Sequence, residues 1–225
     1  MKRVLVYVEG QTEETFVRDV LSPYLWQRCE VLLIPTLART KRTKSGRTFK
    51  GGIVSYHRQV RKDILKLLGD SDAVLVTTML DYYGLPDDFP GGDTLPDGFP
   101  YDRVRHLEEA FKKDIGYRHF LPFLVLHEFE ALVLVEPEKL GMVLPQYKDK
   151  VQVLKKDIAS LPPEEINEGS NTHPAARIRR YFPGYQKRLH GPRLVRDIGL
   201  SRIRKRCPHF DEWLGQLETL CVEQE

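Results

Sequence analysis

Acidic side chains stand directly after three of the apolar runs in this sequence. The acids are Glu9 after residues 4–8, Asp81 after residues 72–80, and Glu128 with Glu130 after residues 120–126. Hard divalent cations such as Mg²⁺ and Mn²⁺ bind oxygen ligands of this type and keep water molecules for substrate phosphates. We therefore expect these acids to be metal ligands wherever the fold brings them together.

One further acid, Glu13, stands in the first turn of a predicted helix. The dipole of the helix favours a carboxylate there, from where it can point back toward Glu9. Simpler roles compete with a metal site, since Glu13 also suits an ordinary first-turn acid, Asp81 suits a turn cap, and Glu128 suits an arginine partner. Glu9 is harder to explain in this way, because a carboxylate against a buried strand costs several kcal/mol unless it is paired or bound to metal.

The elements that must position these acids follow from hydrophobic periodicity. Apolar runs rich in β-branched residues predict strands at residues 4–8, 30–36, 72–80 and 120–126, and periods near 3.6 predict helices at 12–28, 53–68 and 102–115. This alternation predicts an α/β fold, a mostly parallel four-stranded sheet with helices on both faces. We assign residues 1–140 to this domain and residues 141–225 to a mainly helical C-terminal subdomain packed on it.

Basic residues concentrate in two segments, although the net charge is only +3. Residues 39–50 contain six cations and no acid, which predicts an arm that contacts a phosphate backbone or, alternatively, a solvated loop. The cations of this arm are Arg39, Lys41, Arg42, Lys44, Arg47 and Lys50. The second segment is residues 177–206, which are rich in Arg and Lys. Within it Lys187, beside His190 and Arg193, is a candidate catalytic cation that would neutralise a scissile phosphate.

The cysteines and the hydropathy indicate the cellular setting. The chain has three cysteines, Cys29, Cys207 and Cys221, and no pair has CxxC spacing. This pattern argues against disulfides and a zinc knuckle and fits a reducing cytosol. No apolar run approaches the length of a membrane span, and the first residues lack the pattern of a signal peptide. We expect a cytoplasmic protein without a membrane partner.

Several segments together resemble a known family. They are VEGQTEETFV (8–17), KGGIVSY (50–56), TTMLDYYGLPDDFPG (77–91), LHEFEALV (126–133) and IGLSRIRKRCPHFDEWLGQLE (198–218). The pattern resembles the Toprim domain of topoisomerases, primases and overcoming-lysogenization-defect (OLD) nucleases, and most of all the bacterial Toprim-like family known as domain of unknown function 4276. The resemblance implies a sheet of order 2-1-3-4 with the first strand central.

The resemblance also implies roles for individual residues. Glu9 matches the Toprim glutamate, Glu13 matches the additional acid of the nuclease branch, and Asp81 matches the first aspartate of the DxD motif. Tyr83 stands at the second acidic position of that motif, so one metal ligand is missing or is supplied by Glu128 or Glu130.

The function that these features favour is a Mg²⁺- or Mn²⁺-dependent nuclease acting on DNA or RNA. Related Toprim nucleases work with an ABC-type ATPase in defence against phage, and this chain has no GxxxxGK[ST] loop, so such an ATPase would be a separate protein. Two alternatives stay open. One is a non-catalytic module that binds nucleic acid or an ATPase, and the other is a phosphatase acting on small molecules.

Overall fold

The structure is a computed structural model that describes residues 1–38, 53–158, 161–166, 169 and 171–221. Its contacts divide the chain into two compact units. Unit 1 contains Met1–Leu124 together with the chain from Glu218 onward, and unit 2 contains Val125–Leu217. The domain boundary predicted from the sequence follows residue 140, whereas the boundary between the compact units follows Leu124.

The sheet of unit 1 has the predicted order. Strands β1 (Lys2–Val8), β2 (Val31–Leu37), β3 (Ala73–Asp81) and β4 (Phe120–Leu121) lie in the order β2-β1-β3-β4, and all neighbouring pairs are parallel. Five consecutive residues of β1, Val4–Val8, are buried, as expected for a central strand covered on both faces. The predicted α/β class and the strand order are therefore confirmed.

The predicted fourth strand is shorter in the structure. β4 and a two-residue strand β5 (Leu124–Val125), which pairs with β3, replace one strand over residues 120–126. Pro122 lies between them and has no N–H to donate to a ladder. The side chain of Thr78 supplies the missing contacts, since its Oγ1 accepts from Phe123 N and donates to Phe123 O, each at 2.8 Å.

Helices connect the strands of unit 1. The first connection consists of α1 (Gln11–Phe16), a π-helical segment (Val17–Leu21) and α2 (Ser22–Cys29); the second consists of a π-helical segment (Tyr56–Val60) and α3 (Arg61–Leu68); the third contains α4 (Pro100–Ile115). The first helix was predicted from residue 12, but α1 begins at Gln11 and Gly10 occupies the cap position. Ser55 caps the second connection by accepting from Arg58 N.

The long segment between β3 and α4 is folded down onto unit 1. It contains two short 3₁₀ turns, Tyr82–Gly84 and Gly92–Thr94. Phe89 is buried against the rings of Tyr56 and Phe111, at centroid distances of 5.3 and 5.1 Å. Apolar packing of this residue therefore holds the segment in place.

Unit 2 is helical, as expected for the C-terminal region. Its helices are α5 (Glu130–Val133), α6 (Glu138–Val143), α7 (Val151–Ile158), α8 (Pro174–Tyr181), α9 (Lys187–Ile198), α10 (Leu200–Arg206) and α11 (Pro208–Glu218). Cys207 and Trp213 lie in its core. Glu164 is buried and accepts from His209 N and Phe210 N, both at 3.0 Å, so a carboxylate stabilises the N-terminus of α11.

The expectation that the cysteines are unpaired is wrong. Cys29, at the end of α2, forms a disulfide with Cys221 in the C-terminal 3₁₀ turn Thr219–Cys221. Within unit 1, Tyr24 Oη also donates to Glu218 Oε1 at 2.7 Å. Cys207 is the remaining, unpaired cysteine.

Hydropathy along the helices agrees with the sequence. None of the helices in the described ranges combines the length and the apolar character required to span a membrane.

Candidate functional site

Two acids of the sequence prediction meet at the carboxyl ends of β1 and β3. The register pairs Val8 with Met79, which places Glu9 beside the last residues of β3. The Glu9 carboxylate accepts a hydrogen bond from the backbone N–H of Asp81 at 3.1 Å, and Asp81 is 8% exposed. The central parallel strands of unit 1 are therefore followed or ended by two acidic residues that are in direct contact through the Asp81 backbone.

Two glycines make room for the carboxylates of this site. A Cβ atom at Gly84 would lie 3.2 Å from Glu9 Oε1, and one at Gly10 would lie 3.0 Å from Glu13 Oε2. The backbone of Gly10 is extended, with φ −146° and ψ −177°, a conformation that does not require glycine. Its value to the fold is therefore the space it leaves for the Glu13 side chain, which is itself buried.

The charge of Glu9 also acts on a residue of β1. Tyr7 stands two positions before Glu9, which directly follows the strand. Burial, the Asp63 carboxylate and the charge of Glu9 all raise the pKa of Tyr7. The Tyr7 hydroxyl therefore stays protonated, and it donates to Asp63 Oδ2 at 3.0 Å.

Glu128, in unit 2, has protein partners of its own. Its Oε1 lies 2.7 Å from His173 Nδ1 and accepts from Ala175 N at 2.6 Å. These contacts place a carboxylate at the N-terminus of α8, where the helix dipole favours negative charge. The sequence allowed for an arginine partner, and the structure provides a histidine and a helix terminus instead.

Glu130 and Lys187 are ion-paired within unit 2. Glu130 is fully buried, its Oε1 accepts from Tyr185 Oη at 3.2 Å, and its Oε2 lies 3.1 Å from Lys187 Nζ. Burial and the charge of Glu130 raise the pKa of Tyr185. A buried carboxylate requires such a counter-ion, so Lys187 has a structural role whether or not it also meets a phosphate.

His127 precedes these acids in an unusual conformation. It is buried, its φ is 65°, and burial lowers its pKa to about 4 although the charge of Glu128 opposes that change. A histidine in the left-handed region is uncommon and is held there by its surroundings. At neutral pH the ring is uncharged.

The sequence-predicted residues are thus divided between the units. Glu9, Glu13 and Asp81 lie in unit 1, and Glu128, Glu130 and Lys187 lie in unit 2. A metal shared between these two sets stays a prediction. The basic arm lies outside the described residues, so the predicted nucleic-acid contacts of Arg39, Lys41, Arg42, Lys44, Arg47 and Lys50 also stay predictions.

The donor set of unit 1 suits a hard cation. Across the described ranges, no three His, Cys, Asp or Glu side chains form a group that could hold a metal ion. Mg²⁺ does not require such a group, because it usually takes one or two carboxylates and completes its shell with water and phosphate oxygens. Glu9 and Asp81, with the space left at Gly84, are the residues of unit 1 that we predict would hold such an ion.

The residues that position the acids were not predicted from the sequence. Gly84 stands three positions after Asp81, and a glycine so close to a candidate ligand was the available signal. His173 and Tyr185 are distant in sequence from Glu128 and Glu130, so no local pattern indicated that they are partners.

The fold and the site define a parallel α/β protein with two carboxylates at adjacent central strand ends. Comparison with protein-family models matches residues 8–218 to the family described as Domain of unknown function (DUF4276), and the chain belongs to that family. The family predicted from the sequence is therefore confirmed.

One solved structure is similar to this chain. It is the C-terminal region of the Burkholderia pseudomallei OLD protein, with 14% sequence identity and a TM-score of 0.40, and the match covers 94% of this chain and 96% of that chain. A comparison with curated proteins found no match.

Proposed function

We propose that this protein is a metal-dependent phosphodiesterase acting on nucleic acid. The observation that carries the proposal is the contact between Glu9 and Asp81 at the ends of β1 and β3, where ligands of parallel sheets commonly bind. Glu9 and Asp81 would hold Mg²⁺ or Mn²⁺, and the buried carboxylate of Glu13 would add negative charge beside them. When bound, such an ion activates water and stabilises charge on a scissile phosphate.

The residues of the chain contribute positioning to this function. The backbone N–H of Asp81 would fix the orientation of the Glu9 carboxylate, and Gly84, which has no side chain, leaves space beside that carboxylate. The arm at residues 39–50 would supply phosphate contacts that carry no sequence information. We further propose that the protein acts in phage defence together with a separate ABC-type ATPase. The proposed location is the cytoplasm, where nucleic acid and ATP are both present.

A non-catalytic module is the second candidate, and one observation favours it. Tyr83, at the second position of the DxD motif, is 51% exposed and offers no carboxylate to an ion. In that case the protein would bind nucleic acid or an ATPase without hydrolysing phosphodiesters.

Substitution of Glu9 by glutamine tests the proposal. Glu9→Gln keeps an oxygen that can accept from Asp81 N but removes the charge, so the variant should fold and should lose Mn²⁺-induced stabilisation. Melting temperatures with EDTA and with Mn²⁺, together with cleavage of single- and double-stranded DNA and RNA, measure both effects. Glu14→Gln, one residue from Glu13 in the same helical turn, is the matched control and should behave as wild type.

The outcomes separate the candidates. Cleavage by the wild type that disappears in Glu9→Gln supports the phosphodiesterase. Metal-induced stabilisation without cleavage supports the binding module. No stabilisation of the wild type by Mn²⁺, or undiminished cleavage by Glu9→Gln, would overturn the metal site.

A further inference from the structure

A cavity lies on unit 1, where residues 54–63 meet residues 87–88. Its volume is about 690 Å³, within the range of about 300–1,000 Å³ that is typical of small-molecule sites. The described residues of its lining are Val54, Ser55, Arg58, Gln59, Asp63, Asp87 and Asp88. The cavity therefore combines a guanidinium, an amide and carboxylates with an apolar side chain.

The position of the cavity relative to the acids follows from Tyr7. Tyr7 donates to Asp63, a lining residue, and stands two positions before Glu9, which directly follows β1. Successive residues of a strand advance by about 3.3 Å, so the Cα atoms of Tyr7 and Glu9 are about 7 Å apart. This spacing suits a base in the cavity, with its own phosphate near Arg58 and the neighbouring scissile phosphate near Glu9.

One carboxylate of the lining is fixed in place before any ligand arrives. The Gln59 side chain hydrogen-bonds the Tyr7 hydroxyl, which in turn donates to Asp63 Oδ2 at 3.0 Å. A carboxylate offers about four acceptor positions, and Tyr7 occupies one of those on Asp63. Asp63 can thus accept further donors from a ligand without a change of rotamer.

Asp88 has a different role at the same cavity. Its carboxylate accepts from Ser55 Oγ at 2.7 Å, from Tyr56 N at 2.7 Å and from His57 N at 3.2 Å. These hydrogen bonds lower the pKa of Asp88 against the opposing effect of burial. Asp88 shapes the cavity, which leaves Asp63 as the oriented acceptor and Arg58 as the cation.

We propose that this cavity binds a guanine nucleotide unit, with the guanine edge on Asp63 and the phosphate near Arg58. Guanine presents two adjacent donors, N1–H and the N2 amino group, and a carboxylate can accept both. Uracil and thymine present carbonyl oxygens at both sides of a single N–H, which the carboxylate repels. This assignment rests on the proposed nuclease function. The guanine nucleotide would then be the one next to the scissile phosphate, and its unstacked base would be recognised by hydrogen bonds to its edge.

Binding of mononucleotides in EDTA tests the site without hydrolysis, so its outcome is independent of the nuclease activity. We expect GMP to raise the melting temperature and to bind with a Kd about tenfold lower than that of IMP, which lacks only the N2 amino group. Asp63→Asn should remove this preference, because an amide nitrogen replaces one acceptor while the remaining oxygen can still receive the Tyr7 hydroxyl. Asp87→Asn, an exposed lining residue, is the matched control and should keep the preference.

A phosphate contact has a separate measurement. Arg58→Gln should reduce the difference between GMP and guanosine and should leave the difference between GMP and IMP unchanged. An oligonucleotide with one guanine, compared with GMP, distinguishes a strand from a free nucleotide as the source of the unit. Equal affinities for GMP, IMP and AMP, the absence of binding at millimolar concentration, or an unchanged preference in Asp63→Asn would overturn the proposal.

Discussion

Gly84→Ala should weaken the candidate metal site without unfolding the protein. The new Cβ atom would lie 3.2 Å from Glu9 Oε1 and 3.6 Å from Oε2, and the first of these distances is shorter than an ordinary van der Waals contact. The Glu9 carboxylate must therefore move by a few tenths of an ångström. Because Gly84 is exposed and its φ lies outside the left-handed region, alanine fits the backbone there.

The size of the effect follows from that displacement. A misplacement of about 1 Å costs about 100-fold in rate, so a shift of a few tenths should cost roughly fivefold. Mn²⁺ affinity should fall by a similar factor, while the free energy of unfolding in EDTA should change by less than about 0.5 kcal/mol. Calorimetric titration with Mn²⁺, cleavage rates and urea unfolding in EDTA measure the three quantities.

Gly92→Ala is the control for a general effect on the same segment. The atom nearest to its Cβ would be Asp87 O at 3.9 Å, so no neighbour needs to move. Mn²⁺ affinity and cleavage should match the wild type. Equal losses in the two variants, or no loss in Gly84→Ala, would refute the reasoning that Gly84 provides space for the Glu9 carboxylate.

Two further predictions concern groups outside that site. Burial lowers the pKa of His127 to about 4 from an unfolded value near 6.5. The stabilisation from the neutral ring should therefore be complete above about pH 6.5 and should fall, by up to roughly 3 kcal/mol, as the pH drops toward 4. The free energy of unfolding in urea should differ less between pH 7 and pH 5 for His127→Asn than for the wild type, and an equal difference would contradict this origin. Cys29→Ser should lower the free energy of unfolding by at most about 5 kcal/mol, the chain-entropy estimate for a separation of 192 residues. Thiol titration of the denatured wild type without reductant should find one thiol, and three thiols would contradict the disulfide.

The parts of the fold that the sequence predicted are those governed by local pattern. Val4–Val8 is apolar throughout because both faces of β1 are covered, and that run indicated a buried strand, whereas its central position was implied by the family resemblance. Glu9 and Asp81 were predictable as neighbours because parallel strands end at the same edge of a sheet. Pro122 was the available signal for the interrupted fourth strand, although the use of the Thr78 side chain in place of ladder contacts was not visible in it.

The parts that could not be predicted depend on which distant residues meet. Glu128 and Glu130 look alike in sequence, yet one stabilises a helix terminus and the other pairs with Lys187. The choice depends on tertiary packing of α8 and α9, which periodicity does not encode. The pairing of Cys29 with Cys221 likewise requires the end of the chain to return to α2.

The division of unit 1 into two chain segments has a consequence for synthesis on the ribosome. Unit 2 is continuous, Val125–Leu217, whereas unit 1 needs the residues from Glu218 onward to complete it. Translation proceeds at about 5–20 residues per second. Several seconds therefore pass between the synthesis of residues 1–124 and that of Cys221, the disulfide partner of Cys29. During that interval the Cys29 thiol can react with other oxidants and thiols, and unit 1 can close only after unit 2 has been synthesised.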